Sequence, residues 1–344
     1  MYIRHLVIGY FLLFLFSGVL VYISGAQAFV SLGWYLFAYL LFSYTLYFIW
    51  KKMRHLKTLN FFHFFIFFIY KVFLSLSIIC AIVIGFSLYQ NTINPAMLPY
   101  YTITNGDKTI RFQTMSHIAS PDFYTDVYNN IFRAKKWWYV LFYEGVGPGS
   151  SESTAGFNKA LWVVFTPWLY DKLSLLYGIK SQDNSLFLWV VNNKDYNIDL
   201  NLDEVMRIYK EKTSLNWETS EENWIFGSEV QNVEDIVSES IESLSPRELS
   251  VIRYFNQSLM NMIIKNKAIR EGILKMIWKD DIFSVILDDR NLHLVKNIVE
   301  SSEKKIFITY GMMHFEGVYE LLKKSDPTWR IISQKEYQVI RPQN

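Results

Sequence analysis

Two patterns of apolar and polar positions divide the chain. Up to about residue 90 the apolar residues come in unbroken blocks. Residues 6–23, LVIGYFLLFLFSGVLVYI, hold 18 consecutive uncharged positions, and residues 29–50, FVSLGWYLFAYLLFSYTLYFIW, hold 22. A third block, VFLSLSIICAIVIGFSLY, covers residues 72–89. Each can cross roughly 30 Å of hydrocarbon at about 1.5 Å per helical residue. The aromatic run FFHFFIFFIY before Lys71 suits a helix end at the membrane interface, with the lysine reaching the headgroups. The pattern therefore predicts an anchor over residues 1–90 with three transmembrane helices at 6–23, 29–50 and 72–89. Ala26-Gln27-Ala28 leaves open an alternative for the first block, a cleaved signal peptide.

Beyond residue 90 the pattern shortens. QNTINPAMLPYYTITNGD carries the prolines and Asn-Gly of turns and reads as a linker over 91–107. KTIRFQ then reads as a strand, Ser120-Pro121 as an N-cap with proline in the first turn, DFYTDVYNNIFRAKK as a helix, and WWYVLFY (137–143) as a second strand. Strand, crossover helix and strand make a βαβ unit with parallel strands. IFITY, a turn at Gly311 and the helix FEGVYELLKK repeat the arrangement. SPRE (245–248) is a capping box opening a helix through LSVIRYFNQSLMNMIIK. The fold class expected for 108–344 is α/β, a central sheet of parallel βαβ units flanked by helices.

Charge then sets the topology. The loop KKMRHLK (51–57) holds Lys51, Lys52, Arg54 and Lys57, whereas SGAQA between the first two blocks holds no basic residue. Basic loops stay in the cytoplasm, which predicts a multi-pass membrane protein with its C-terminal domain outside. The lipid bilayer is thus a partner. The net charge of +2 says nothing about partners, and no basic stripe suggests nucleic acid, so none is expected. The single cysteine, Cys80, lies in the third block, so the external domain has neither disulfide nor thiol nucleophile. The acidic stretch 214–245 reads as a solvated surface excursion. The alternating Asn193, Asp195, Asn197, Asp199, Asn201 and Asp203 lack the glycine and final glutamate of a calcium loop and read as a polar turn and helix cap.

Ligand crevices in open α/β sheets lie outside the C-terminal ends of the strands. His117, Glu144 and His314 stand at those ends. Two imidazoles and a carboxylate are a set that can hold a divalent ion such as zinc, manganese or cobalt while leaving a position for water. Arg290 and Asn291 in LDDRN either bind a substrate carboxylate or oxyanion, with Asp288 or Asp289 orienting a ligand histidine, or lie at a helix start that one of these aspartates caps. Glu316 reads as a first-turn helical acid, and His293 as a helix-surface residue.

The pieces TMSHIASPDFYTDV, YVLFYEGV, DDRN and YGMMHFEGVYELL, in this order, resemble the TraB/GumN/TIKI family, within a wider set similar to erythromycin esterases and ChaN proteins. GIKSQ and NIDLNLDEV extend the match over most of 105–335. The resemblance implies a metal-dependent peptidase whose site is two G-x-x-H motifs and a glutamate. Gly311 to His314 matches the second motif and Glu144 the glutamate; the first motif has Thr114 where the family has glycine, ahead of His117. The implied roles are His117, Glu144 and His314 as metal ligands, with Glu144 and Arg290 catalytic on a peptide or small ester or amide substrate. The alternative is a binding protein of the same fold that sequesters a peptide without cleaving it.

Overall fold

The computed structural model describes residues 41–42, 44–49, 51–52, 60–161, 164, 166, 168–183, 185, 189–213, 233–277 and 280–341. The block at 6–23, the Ala26-Gln27-Ala28 site, most of the block at 29–50, the loop residues 53–57 and the acidic residues 214–232 lie outside them. The chain divides into two compact units that part between Tyr89 and Gln90, with Glu242–Ile252 belonging to the first.

In the first unit the aromatic run and the third apolar block form one continuous helix, α1 (Phe61–Leu88). Among the described residues a single segment, Tyr70–Ile93, is long and apolar enough to cross a membrane. The capping box forms as expected at the start of Pro246–Lys265: Ser245 N–H donates to Glu248 Oε2 at 2.9 Å, and Glu248 N–H donates to Ser245 Oγ at 3.3 Å.

The second unit is α/β around a six-stranded sheet. Its strands are β1 (Met97–Thr104), β2 (Thr109–Met115), β4 (Val140–Tyr143), β6 (Tyr196–Asn197), β7 (Lys305–Gly311) and β8 (Arg330–Gln338), in the order β6-β4-β7-β2-β1-β8. β3 (Ile118–Ala119) and β5 (Lys180–Ser181) form a separate pair. β2, β7, β4 and β6 are mutually parallel, and β1 runs antiparallel to both of its neighbours, β2 and β8. The expected βαβ strands β2 and β4 are parallel, but β7 lies between them. The segment expected as a linker contains β1, which is hydrogen-bonded on both sides; its polar turn residues Asn105, Gly106 and Asp107 make only the β1–β2 hairpin.

The strand cores are apolar at successive positions because helices cover both faces. Along β7, Ile306, Ile308 and Tyr310 join one buried cluster with Leu294, Val318 and Leu322, while Phe307 joins the opposite cluster with Phe123, Val127 and Ile131. Each such fully buried side chain contributes about 1.5–3 kcal/mol. Helix α2 (Pro121–Lys136) starts at the expected proline, but Ser120 does not cap it; its Oγ donates to Val339 O at 3.0 Å. The strand expected from Trp137 begins only at Val140, because Trp138 takes a left-handed turn at φ 61°.

Candidate functional site

Register brings the site together. Met115 pairs with Gly311, Tyr143 with Thr309, and Met312 N–H donates to Met115 O at 3.0 Å, so β2, β4 and β7 end side by side. His117 follows β2 by two residues, Glu144 follows β4 directly, and His314 opens helix α8 (His314–Ser325) after β7. Here helices are labelled α3 (Leu169–Tyr177), α4 (Leu202–Thr213), α5 (Pro246–Lys265), α6 (Lys267–Ile277) and α7 (Arg290–Glu300). A π-helical turn, Val285–Asp289, delivers Arg290 to the same place. All four expected site residues, His117, Glu144, Arg290 and His314, line one cavity of about 240 Å³. Tyr170, Arg270 and the apolar Leu274, Phe283, Ile286 and Leu287 complete much of its wall.

The floor is a buried charge network. Arg290 Nη2 donates to Glu144 Oε1 at 2.6 Å and to Asp199 Oδ2 at 2.6 Å, and Arg290 Nε donates to Asp199 Oδ1 at 2.8 Å. Tyr310 OH donates to Asp199 Oδ1 at 3.0 Å, and Gly311 N–H donates to Glu144 Oε2 at 2.5 Å. Burial by itself pulls the guanidinium down; Tyr310, Glu144 and Asp199 hold it above its ordinary value. Gly311 is needed for close approach, not for a special φ. A Cβ there would sit 3.3 Å from Glu144 Oε2 and 3.4 Å from His314 Cδ2.

His314 is buried, and its Nδ1 lies 2.8 Å from Asn291 Oδ1. With the amide oxygen accepting, Nδ1 carries the proton and Nε2 keeps its lone pair, facing the cavity 4.0 Å from Glu144 Oε1. Burial, then the charge of Arg290 and the nearby His117, push this imidazole well below its ordinary pKa. His117 stacks on Tyr170 with ring centroids 4.5 Å apart, and its ring nitrogens make no hydrogen bond among the described residues; its backbone carbonyl accepts from Gln182 N–H at 2.7 Å. His117 is solvent-exposed, although the cavity wall crowds its ring. Burial lowers its pKa too, against the pull of Glu144 and with that of Arg290. Tyr170 is pushed up to about 12 by burial and by Glu144, so its phenol remains a donor at neutral pH.

A metal shared by His117, Glu144 and His314 needs a lone pair from each. The imidazoles offer theirs, but both oxygens of Glu144 are engaged by Arg290 and Gly311, and the guanidinium places a positive charge beside the carboxylate. Among the described residues no group of three or more His, Cys, Asp or Glu side chains is placed to hold a metal ion. In the alternating Asn/Asp set Asn201 caps α4 as expected, its Oδ1 accepting from Glu204 N–H at 2.9 Å while its own N–H donates to Glu204 Oε2 at 3.0 Å; Asp195 pairs inward with Lys135 at 2.6 Å, and Asp199 with Arg290. Neither Asp288 nor Asp289 orients a histidine. Asp289 pairs with Lys212 at 2.5 Å without capping α7, and Asn291 is the residue that holds His314. Thr114 is at ease in β2, its Oγ1 donating to Pro99 O at 2.6 Å with no left-handed φ. Glu316 sits in the first turn of α8, paired with Lys267, as expected.

Asp199, Tyr170 and Arg270 carry roles that the strand-end argument did not reach. Asp199 was legible only as one member of a polar run, and Tyr170 and Arg270 as ordinary helical positions. No known family, curated protein or solved structure matches the chain.

Proposed function

We propose that this protein is a membrane-anchored hydrolase of the TraB/GumN type, acting outside the cytoplasm on a peptide or small amide or ester bound in the cavity. The observation that carries the reading is His314: a buried imidazole held well below its ordinary pKa, lining a largely apolar cavity with its Nδ1 2.8 Å from Asn291 Oδ1, so that a proton on Nδ1 leaves Nε2 as the base. Water attacks the substrate carbonyl as His314 Nε2 takes its proton. The same imidazole then hands that proton to the leaving group as the scissile bond breaks. Tyr170, kept protonated in the cavity wall, donates to the developing oxyanion. Arg290 and Asp199 act one step back by fixing Glu144, which lies beside His314. The form of this chemistry that the resemblance implies, with a divalent metal on His117, Glu144 and His314, requires Glu144 to release Arg290.

The test is hydrolysis of a mixed peptide library by full-length protein in nanodiscs, read by mass spectrometry. Cleavage is expected, lost in His314→Ala. Activity that survives EDTA supports the imidazole as base, and activity abolished by EDTA and restored by zinc or manganese supports the metal form. Bound but uncut peptide selects the sequestering alternative. Undiminished turnover by His314→Ala overturns the assignment of this cavity.

A further inference from the structure

Arg270 stands on α6 where it lines the cavity, one helical turn before Leu274. Its Nη1 donates to the carbonyls of Ile264 and Ile263 in the last turn of α5, which fixes the guanidinium plane. The opposite edge is unused. Nε is the one buried side-chain nitrogen or oxygen among the described residues without a hydrogen-bond partner, and the guanidinium's hydrogen bonds to the described residues all come from Nη1. Arg290, by contrast, is already committed to Glu144 and Asp199. Burial pulls the Arg270 guanidinium below its ordinary value; Glu316 and Glu271 oppose this at a distance, and neither is hydrogen-bonded to it. Glu316 is paired with Lys267.

Nε–H and Nη2–H project side by side from one edge of a guanidinium, a fork whose complement is a carboxylate with two parallel acceptors. The wall beside it, Leu274, Phe283, Ile286, Leu287 and Met312, is apolar. We infer that Arg270 is the specificity determinant of the cavity, anchoring a free carboxylate carried on an apolar body, as at the C-terminus of a peptide with a hydrophobic last residue. The inference rests on reading this cavity as the ligand site, and it replaces Arg290 with Arg270 as the residue that receives a substrate carboxylate.

The experiment measures binding, not turnover, with full-length protein in nanodiscs and three probes: N-acetyl-phenylalanine, phenylacetate and N-acetyl-phenylalaninamide, followed by ligand-detected NMR. The acids should bind at least tenfold more tightly than the amide, since a charge-assisted pair is worth on the order of 10- to 100-fold. Arg270→Gln should abolish that preference, and Arg270→Lys, which keeps the charge without the fork, should retain part of it. Binding is read without turnover, so failure of the hydrolase reading leaves this result intact. Tighter binding of N-acetyl-phenylalanine than of phenylacetate assigns a peptide C-terminus; the reverse order assigns a free organic acid. Equal binding of acid and amide by wild type overturns the inference even where the Arg270 variants fail to fold, as does an unchanged acid preference in a folded Arg270→Gln protein.

Discussion

Replacing Arg290 by glutamine tests the network beneath the site. The substitution leaves Asp199, whose side chain is 0% exposed, and Glu144, 13% exposed, without the cation that holds them together. It deletes three charge-assisted hydrogen bonds of 2.6, 2.6 and 2.8 Å. Removing one partner of a buried ion pair costs about 3–5 kcal/mol, because the remaining charge stays desolvated. That is a large share of the roughly 5–15 kcal/mol that holds a domain folded. The deficit should also depend on pH. Arg290 depresses both histidines, so its loss eases their protonation in the folded protein, and the deficit shrinks as pH falls through the histidine range. Denaturant unfolding of wild type and Arg290→Gln, followed by tryptophan fluorescence in detergent, should give a difference of about 3–5 kcal/mol at pH 8 that shrinks by pH 5. A difference under about 1 kcal/mol at pH 8, the range of an exposed pair, or one that grows on acidification, would refute the reasoning.

In the wild-type protein the depressed His117 and His314 make the unfolded chain the stronger proton binder below about pH 6.5. Stability should therefore be flat above that pH and fall below it by up to about 1.4 kcal/mol per pH unit for the buried His314, with the exposed His117 adding less because solvent screens it, and the acid limb of any turnover should lie below pH 6.5; a midpoint above 6.5 contradicts this. Gly317→Ala places a methyl on the Asn291 amide, which should turn that side chain off His314 and lower turnover at least tenfold while far-UV circular dichroism stays native; unchanged turnover contradicts the role of Asn291. Reporter fusions at residues 54 and 340 should read cytoplasmic and external respectively, and a cytoplasmic residue 340 would overturn the assignment of compartment.

The sequence made the site legible where chemistry and local pattern coincide. Parallel β strands with chemistry-bearing residues just past their ends placed His117, Glu144 and His314 at one sheet edge, and all three line one cavity. It misled where a side chain's partner is distant in sequence. Asp199 and Asp195 read as members of a polar turn and helix cap, yet Arg290 and Lys135, 91 and 60 residues away, draw them inside. Glu144 reads as a free ligand until Arg290 is seen beside it. β1 was hidden because Pro95 and Pro99 at its start resemble a linker, and nothing local shows that β2 and β8 pair on either side of it. Tyr170 and Arg270 have no signature at all, because ring stacking and an unused guanidinium edge exist only in three dimensions.

The protonation state of His314 tests the central claim most directly. In full-length protein labelled with ¹⁵N-histidine, long-range ¹⁵N–¹H spectra should show Nδ1 protonated and Nε2 bare, with the neutral form persisting well below pH 6.5. An imidazolium at pH 6.5, or the opposite tautomer with Nε2 protonated, would deprive the cavity of its base and contradict the account.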